Sequence, residues 1–264
     1  MSAISTPIPA RDLFVATPDG TLFARIWGAL DSNRAPIVLL HDSLGCVELW
    51  RDFPERLART TGRAIIAYDR LGFGASDAYP GPLPQDFIAR EAQTSLRALR
   101  ETLGVGRMIL FGHSVGGGMA VAAGAAYPED TEAIVTVAAQ AFVEDRTLAG
   151  IRAAQAAFEA PGQIERLQRY HGDKAQWVLD AWIKTWLSPE FADWTLDDAL
   201  LRLRSPLLAL HGDRDEYGSN RHPEILGGGS PGANRVSIIP DCGHVPHRER
   251  PEAVLAAVRE FIAA

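Results

Sequence analysis

Met108-Ile-Leu-Phe-Gly-His-Ser-Val-Gly116 is the stretch of this 264-residue chain that decides its fold. Its first four residues are continuously apolar and predict a buried strand, and the small residues from Ser114 to Tyr127 predict a helix. A serine held at such a strand-to-helix turn needs small neighbours, which Gly112 and Gly116 provide. The helix N-terminus beside it favours developing negative charge. The pattern therefore predicts Ser114 as a nucleophile.

Further strands and helices alternate on both sides of this stretch. The predicted strands are Asp12–Ala16, Leu22–Trp27, Pro36–His41, Ala64–Tyr68, Met108–Phe111, Ala133–Val137, Pro206–His211 and Arg235–Ile239. The predicted helices among them are Glu48–Thr60, Pro84–Leu103, Ser114–Tyr127 and Pro251–Ile262. This alternation is typical of parallel βαβ units, and the first two strands form a hairpin that supplies an antiparallel edge. We expect an α/β protein with a mostly parallel, eight-stranded sheet and helices on both faces.

The alternation stops after Ala139 and resumes near residue 204. Residues 140–203 contain no buried-strand run and have a helical pattern. Four tryptophans lie close together in this segment, namely Trp177, Trp182, Trp186 and Trp194. The sequence therefore predicts an α/β core formed by residues 1–139 and 204–264, with a helical insertion at residues 140–203.

The composition excludes several classes of function. The formal net charge is −7, and no block of Lys and Arg resembles a surface for nucleic acid or membrane. Met1–Arg11 lacks the pattern of a signal peptide, and no apolar run is long enough to span a bilayer. The two cysteines, Cys46 and Cys242, cannot form a disulfide framework. We expect a cytoplasmic, acidic protein that binds a small molecule and has no nucleic-acid or membrane partner.

A serine hydroxyl attacks only with the help of a base and an orienting acid, so partners for Ser114 should follow it in the chain. Asp215 lies after the strand at Leu207–Leu210, and His244 lies after the strand at Val236–Ile239. Both are at the carboxyl ends of strands, where open α/β sheets collect their sites. The nearby rivals are Asp213, Glu216, Asp241 and His247.

Together these motifs resemble the serine-nucleophile branch of the α/β-hydrolase superfamily across essentially the full chain. The matching stretches are Gly112–Gly116, His211-Gly-x-x-Asp215, Gly243-His244 and the turn Asp69–Ser76. The resemblance implies a helical cap over the catalytic strand ends and no metal or organic cofactor. It also favours Asp215 and His244 over their rivals. A serine nucleophile argues against the dehalogenase and epoxide hydrolase members, which use aspartate.

An oxyanion hole should combine the N–H of Val115 with one N–H from the loop after the third strand. By position that second donor is Ser43, with Leu44 as its rival. The family usually has His-Gly at the start of this loop, whereas this chain has His41-Asp42. Asp42 stands in place of that glycine and adopts left-handed conformations less freely, so it either caps the loop or changes the electrostatics of the site.

The remaining candidates concern the substrate pocket and the other histidines. The residues expected to line the pocket are Leu44, His113, Trp182 and Trp186. His113 is expected to pack beneath the nucleophile, whereas His41 should bond its own loop. His247 is expected to be either solvated or a neighbour of the catalytic groups.

The reaction expected of these residues is hydrolysis of a small carboxylic ester through an acyl-enzyme. Three alternatives stay open. The same groups could cleave a C–C bond in an aromatic ring-fission product or act as a cofactor-free perhydrolase. The fold could also serve as a non-catalytic ligand receptor. A homo-oligomer is possible.

Overall fold

The computed structural model describes residues 7–31, 33–229 and 233–263, and in this part of the chain eight strands form one sheet. The strands are β1 (Ala10–Thr17), β2 (Gly20–Trp27), β3 (Ile37–Leu40), β4 (Ile65–Tyr68), β5 (Met108–His113), β6 (Thr131–Val137), β7 (Leu207–Gly212) and β8 (Arg235–Ile239). Their order in the sheet is β1-β2-β4-β3-β5-β6-β7-β8. The β1–β2 and β2–β4 pairs are antiparallel, and the other neighbours are parallel. The predicted fold class is confirmed. The sequence predicts no signal peptide in Met1–Arg11, and part of that stretch lies outside the described residues.

Eleven α-helices accompany this sheet in the described ranges. They are α1 (Phe53–Thr61), α2 (Phe87–Arg90), α3 (Ser95–Leu103), α4 (Val115–Ala126), α5 (Asp145–Phe158), α6 (Gln163–His171), α7 (Ala175–Trp186), α8 (Asp197–Arg202), α9 (Arg221–Gly228), α10 (Pro246–Glu249) and α11 (Pro251–Ala263). None of them is both long and apolar enough to cross a membrane.

Two predicted helices are interrupted in the structure. The one expected at Glu48–Thr60 begins as a 3₁₀ turn, Val47–Trp50, and breaks at Arg51, where φ is 55°. Pro54 is tolerated only in the first turn of a helix, so α1 begins one residue before it.

The helix expected at Pro84–Leu103 is divided into α2, a 3₁₀ turn and α3. The break is at Thr94, where φ is −115° and ψ is −102°. Glu91 points inward and accepts a hydrogen bond of 2.5 Å from the Tyr68 hydroxyl. Helix α9 was not predicted, because its end is rich in glycine, which has a low helix propensity.

The central strands are buried on both faces, and successive side chains contribute to two separate cores. Val38 and Leu40 belong to the hydrophobic cluster that also contains residues of α3, α4 and α8. Ile37 and Leu39 belong to the cluster formed with residues of α1 and α11. This arrangement follows from the two-residue period of a strand, and it explains why β3 reads as a continuous apolar run.

Helices α5 to α8 all lie between β6 and β7. The start and end of this segment meet at an isolated bridge between Phe142 and Thr195. The Leu196 N–H donates to the Ala141 carbonyl at 2.8 Å, which closes the base of the segment. The structure is thus helical where the insertion at 140–203 was predicted, and we propose that division of the chain into core and cap.

Candidate active site

Ser114 lies between the end of β5 and the start of α4, with φ 54° and ψ −125°. Such a left-handed conformation costs a non-glycine residue about 1–3 kcal/mol. A Cβ atom at Gly112 would lie 2.0 Å from the Gly116 carbonyl oxygen, and one at Gly116 would lie 2.2 Å from the Leu40 carbonyl oxygen. The turn therefore needs glycine at both positions, and it places the serine at the carboxyl edge of the sheet, where it lines a cavity.

Ser114, His244 and Asp215 form a continuous line of hydrogen bonds. The Ser114 Oγ lies 3.0 Å from His244 Nε2. His244 Nδ1 lies 2.9 Å from each carboxylate oxygen of Asp215, which also accepts the Tyr217 N–H at 2.8 Å. Since a carboxylate only accepts, Nδ1 carries the proton and Nε2 is free to accept the serine proton.

The pKa shifts of His244 and Asp215 suit a general base that is assisted by a carboxylate. Burial by itself would lower the pKa of His244, but the hydrogen bond and charge of Asp215 outweigh it, so the pKa is raised. Burial likewise would raise the pKa of Asp215, yet the His244 ring holds that pKa below its usual value. Asp215 therefore stays ionised and can stabilise a protonated His244.

The rivals have other partners. Asp213 accepts the N–H of Cys242 at 3.1 Å, and Asp241 forms an exposed ion pair with Arg214. His247 is 4% exposed, so the solvated alternative predicted for it is wrong. Its ring packs against Trp50, and burial holds its pKa well below the usual value.

The loop after β3 contains the two candidates for the second oxyanion donor, the N–H groups of Ser43 and Leu44. The Leu44 N–H donates to Asp42 Oδ1 at 2.9 Å, so it is already occupied. No acceptor contacts the Ser43 N–H in the described part of the chain. Val115 is the first residue of α4, so its N–H has no intrahelical acceptor. The geometry therefore favours Ser43 and Val115 as oxyanion donors. Asp42, which stands where the family usually has glycine, does not have a positive φ, so its backbone does not need the conformation that favours glycine.

A cavity of about 160 Å³ lies above Ser114. The four predicted pocket residues line it, namely Leu44, His113, Trp182 and Trp186. The prediction missed other lining residues, which include Gln140, Thr147, Ile151 and Tyr217. A larger cavity beside Arg70 and Glu91 is lined by none of the three Ser114–His244–Asp215 side chains.

Gln140 is the missed residue nearest to the nucleophile. It is 3% exposed, and its Oε1 lies 3.4 Å from Ser114 Oγ. The chain reaches this point from β6 through Ala138, whose φ is 51°. Because Gln140 follows a parallel strand at the edge that holds the nucleophile, the strand-end rule could have identified it.

Nothing in the described ranges groups three or more His, Cys, Asp or Glu side chains as a metal ion would require. Cys46 and Cys242 are buried thiols. Burial raises the pKa of Cys46 to about 12 and that of Cys242 to about 11, so neither is a second nucleophile near neutral pH.

Comparisons with known proteins agree with this architecture. The family model described as alpha/beta hydrolase fold matches residues 35–170. A (lyso)-N-acylphosphatidylethanolamine lipase of Homo sapiens is 34% identical over 106 residues, which are 40% of this chain and 30% of the lipase. A proline iminopeptidase of Lactiplantibacillus plantarum is 35% identical over 117 residues, 43% of this chain and 39% of the peptidase. The chain thus spans about a third of each relative's length.

Solved structures match over more of the chain but at lower identity. The α/β hydrolase MGS-M2, from a Medee basin deep-sea metagenome library, superposes with a TM-score of 0.75 and 20% identity. The match covers 96% of this chain and 98% of MGS-M2. At this identity the likeness concerns the fold alone. With the family model matching more than half of the residues, the chain belongs to the α/β hydrolase fold family.

Proposed function

We propose that this protein is a serine hydrolase that cleaves a small carboxylic ester through an acyl-enzyme. The observation that carries the proposal is the line of hydrogen bonds from Ser114 through His244 to the buried Asp215. The strained backbone of Ser114, which only a tightly built turn maintains, adds to it.

In the proposed mechanism, Ser114 Oγ attacks the ester carbonyl carbon while His244 Nε2 takes the hydroxyl proton. The N–H groups of Ser43 and Val115 donate to the carbonyl oxygen as it becomes negative. The tetrahedral intermediate then expels the alcohol, which receives the proton from His244. A water molecule then gives a proton to the same nitrogen and attacks the acyl-serine carbonyl. The bond between the acyl carbon and Ser114 Oγ breaks, His244 returns the proton to Oγ, and the carboxylic acid leaves.

The cavity suits a short, uncharged acyl group. Its volume of about 160 Å³ is small, and its apolar lining includes Leu44, Ile151, Trp182 and Trp186. The carboxylate among its described lining residues, Asp42, is already bonded to His113. The secondary amine of an N-terminal proline is a cation near neutral pH, so this apolar lining offers less to a peptide of that kind than to an ester.

The test is a panel of p-nitrophenyl esters from acetate to decanoate, supplemented with a ring-fission dienone. We expect the highest kcat/KM for acyl chains of two to about six carbons. Ser114→Ala should lose at least 1,000-fold in kcat while circular dichroism and Tm stay unchanged.

A fluorophosphonate probe separates this proposal from the receptor alternative, because only an activated serine reacts with it. We expect stoichiometric labelling of the wild type and none of Ser114→Ala. A folded wild type that neither reacts with the probe nor hydrolyses any ester would refute the proposal. Preferential turnover of the dienone would assign the site to C–C cleavage instead.

A further inference from the structure

His113 is almost completely buried, and both of its ring nitrogens face groups that only accept hydrogen bonds. Nδ1 lies 3.0 Å from Asp42 Oδ2, and Nε2 lies 2.8 Å from the carbonyl oxygen of His244. Burial alone would raise the pKa of Asp42, but the hydrogen bond and charge of His113 outweigh it and hold that pKa well below its usual value, so the group is a carboxylate. A neutral imidazole has one N–H and could satisfy only one of these two acceptors.

We propose that Asp42 and His113, with a proton on each ring nitrogen, form an ion pair that positions the oxyanion loop and the loop of the catalytic base. The inference rests on the proposed function and assigns two positioning residues to it. Neither residue touches the reacting atoms in the proposed mechanism.

The contacts of the pair connect three separate segments of the site. Asp42 uses Oδ1 to accept the Leu44 N–H, which leaves the neighbouring Ser43 N–H as the loop's free donor. Its Oδ2 binds His113, which lies directly before the nucleophile. His113 then donates to the carbonyl of His244 itself. The oxyanion loop, the nucleophile turn and the base loop are thus joined by two side chains.

The charge of the pair has its own consequence. A lone carboxylate near the oxyanion donors would oppose the negative charge that develops on the substrate. A lone imidazolium beside His244 would oppose protonation of the base. As a pair the two charges largely cancel. Asp42, His244 and His247 contact His113, and burial keeps His247 neutral. Further titratable groups line the small cavity that His113 also borders, namely His41, Cys46 and the cation Arg248.

His171 provides an internal control for the hydrogen-bond argument. Its Nδ1 accepts the Gly74 N–H at 2.9 Å, and its Nε2 lies 3.0 Å from the Leu44 carbonyl oxygen. One donor and one acceptor fit a neutral ring, and burial lowers the pKa of His171 accordingly. The two histidines are therefore expected to differ in protonation although both are buried.

The first test is ¹⁵N NMR of the seven histidine rings of the wild-type protein at pH 8.5. We expect one ring with two protonated nitrogens, and we expect that signature to disappear in Asp42→Asn. The side-chain amide that this substitution introduces can then donate to Nδ1 of a neutral His113. If no ring of the wild type is doubly protonated, the proposal is overturned. This measurement needs no substrate, so it is independent of the proposed function.

The second test is a double-mutant cycle on ester hydrolysis. His113→Ala leaves Asp42 unopposed, and we expect kcat to fall about 100-fold. Adding Asp42→Asn should recover at least tenfold of that loss, which a merely structural role would not produce. A double variant no faster than His113→Ala would overturn the proposal. Asp52→Asn, which removes an exposed carboxylate of α1's N-terminus, is the matched charge control.

The pH profile covers the case in which His113→Ala does not fold. Asp42→Asn converts a charged pair into a neutral one, so the acid limb set by His244 should move by less than about 0.3 pH units while kcat falls about threefold. A limb that shifts to lower pH by a full unit would mean that His113 is neutral in the wild type. Ser114→Ala is measured first and should lose all activity, which tests the proposed function by itself. Failure of the present inference can then be distinguished from failure of the proposed function.

Discussion

Asp215 is buried and bonds both the His244 ring and the Tyr217 N–H, so its carboxylate determines how the base is oriented. We expect Asp215→Asn to lower kcat by about 10⁴-fold, because an amide in this place favours the wrong ring tautomer. Asp213→Asn should change kcat less than about twofold, since an amide oxygen can still accept the Cys242 N–H. Steady-state kinetics on the preferred p-nitrophenyl ester compares the two. Equal losses would mean that the acid has been misassigned.

The raised pKa of His244 predicts the sign of the pH dependence. The base must be neutral to accept the serine proton, so the rate of fluorophosphonate labelling should rise with pH through a value above 6.5. In Asp215→Asn the largest raising influence on the pKa of His244 is lost and burial remains, so NMR titration should give a lower pKa than in the wild type. A labelling rate that is flat between pH 5 and 8 would contradict the base assignment.

At the scale of elements, the close crossing of β5 and α4 holds the nucleophile in its strained conformation. Gly116→Ala should unfold the protein or lower its stability by more than about 3 kcal/mol, because the added Cβ would lie 2.2 Å from a backbone oxygen. Gly106→Ala is the control, since that position has open space around it and no positive φ. Urea unfolding of both variants measures the difference. A Gly116→Ala variant as stable as the control would show that the turn can relax.

Substitutions of two tryptophans in the inserted segment should have separate effects on substrate specificity and on stability. Trp182 lines the cavity and is half-buried, so Trp182→Ala should extend the preferred acyl chain with a loss below about 2 kcal/mol. Trp194 is half-buried as well, but it lies outside the cavity lining, stacks on Phe191 and packs edge-on against Trp186. Trp194→Ala should therefore cost about 3 kcal/mol and leave the preference unchanged. Chain-length profiles and urea unfolding of each variant are the measurements. If both variants lose only stability, Trp182 does not determine substrate size.

At the scale of the whole molecule, the inserted helices are connected to the loop that carries Asp215. Glu144, directly before α5, accepts hydrogen bonds from the Ser219 N–H, the Ser219 hydroxyl and the His222 ring. The Thr147 hydroxyl donates to the Tyr217 carbonyl at 2.6 Å. Burial lowers the pKa of His222 to about 4, so this histidine is a neutral donor to Glu144. The start of α5 therefore holds the loop that follows Asp215.

This connection predicts that Glu144→Ala loses both stability and activity. The change leaves the Ser219 and His222 donors without their acceptor, which should cost about 2 kcal/mol. Displacement of Asp215 should then lower kcat about tenfold. Glu159→Ala, an exposed site just after α5, should change the free energy of unfolding by less than about 0.5 kcal/mol. An activity equal to wild type in a destabilised Glu144→Ala would show that α5 does not position the acid.

The sequence determined those features that depend on local order along the chain. Alternating apolar runs and turns predicted the sheet, because strand and helix periods are properties of consecutive residues. Gly112 and Gly116 predicted the nucleophile turn, since their steric requirement acts over a few residues. The interruption at Arg51 has a local cause in Pro54, whereas the apolar spacing of residues 84–103 contains no mark of the break at the exposed Thr94.

Only the tertiary structure decided which polar groups meet. Asp42 and His113 are 71 positions apart, and His113 and His244 are 131 apart, so no local pattern records their contacts. Gln140 differs in part, because its position after the end of β6 indicates the edge of the sheet but not its contact with Ser114. A hydrogen bond requires the approach of two atoms to about 3 Å. Strand order and loop path set that distance, and they result from packing of the whole chain rather than from the preferences of any one segment.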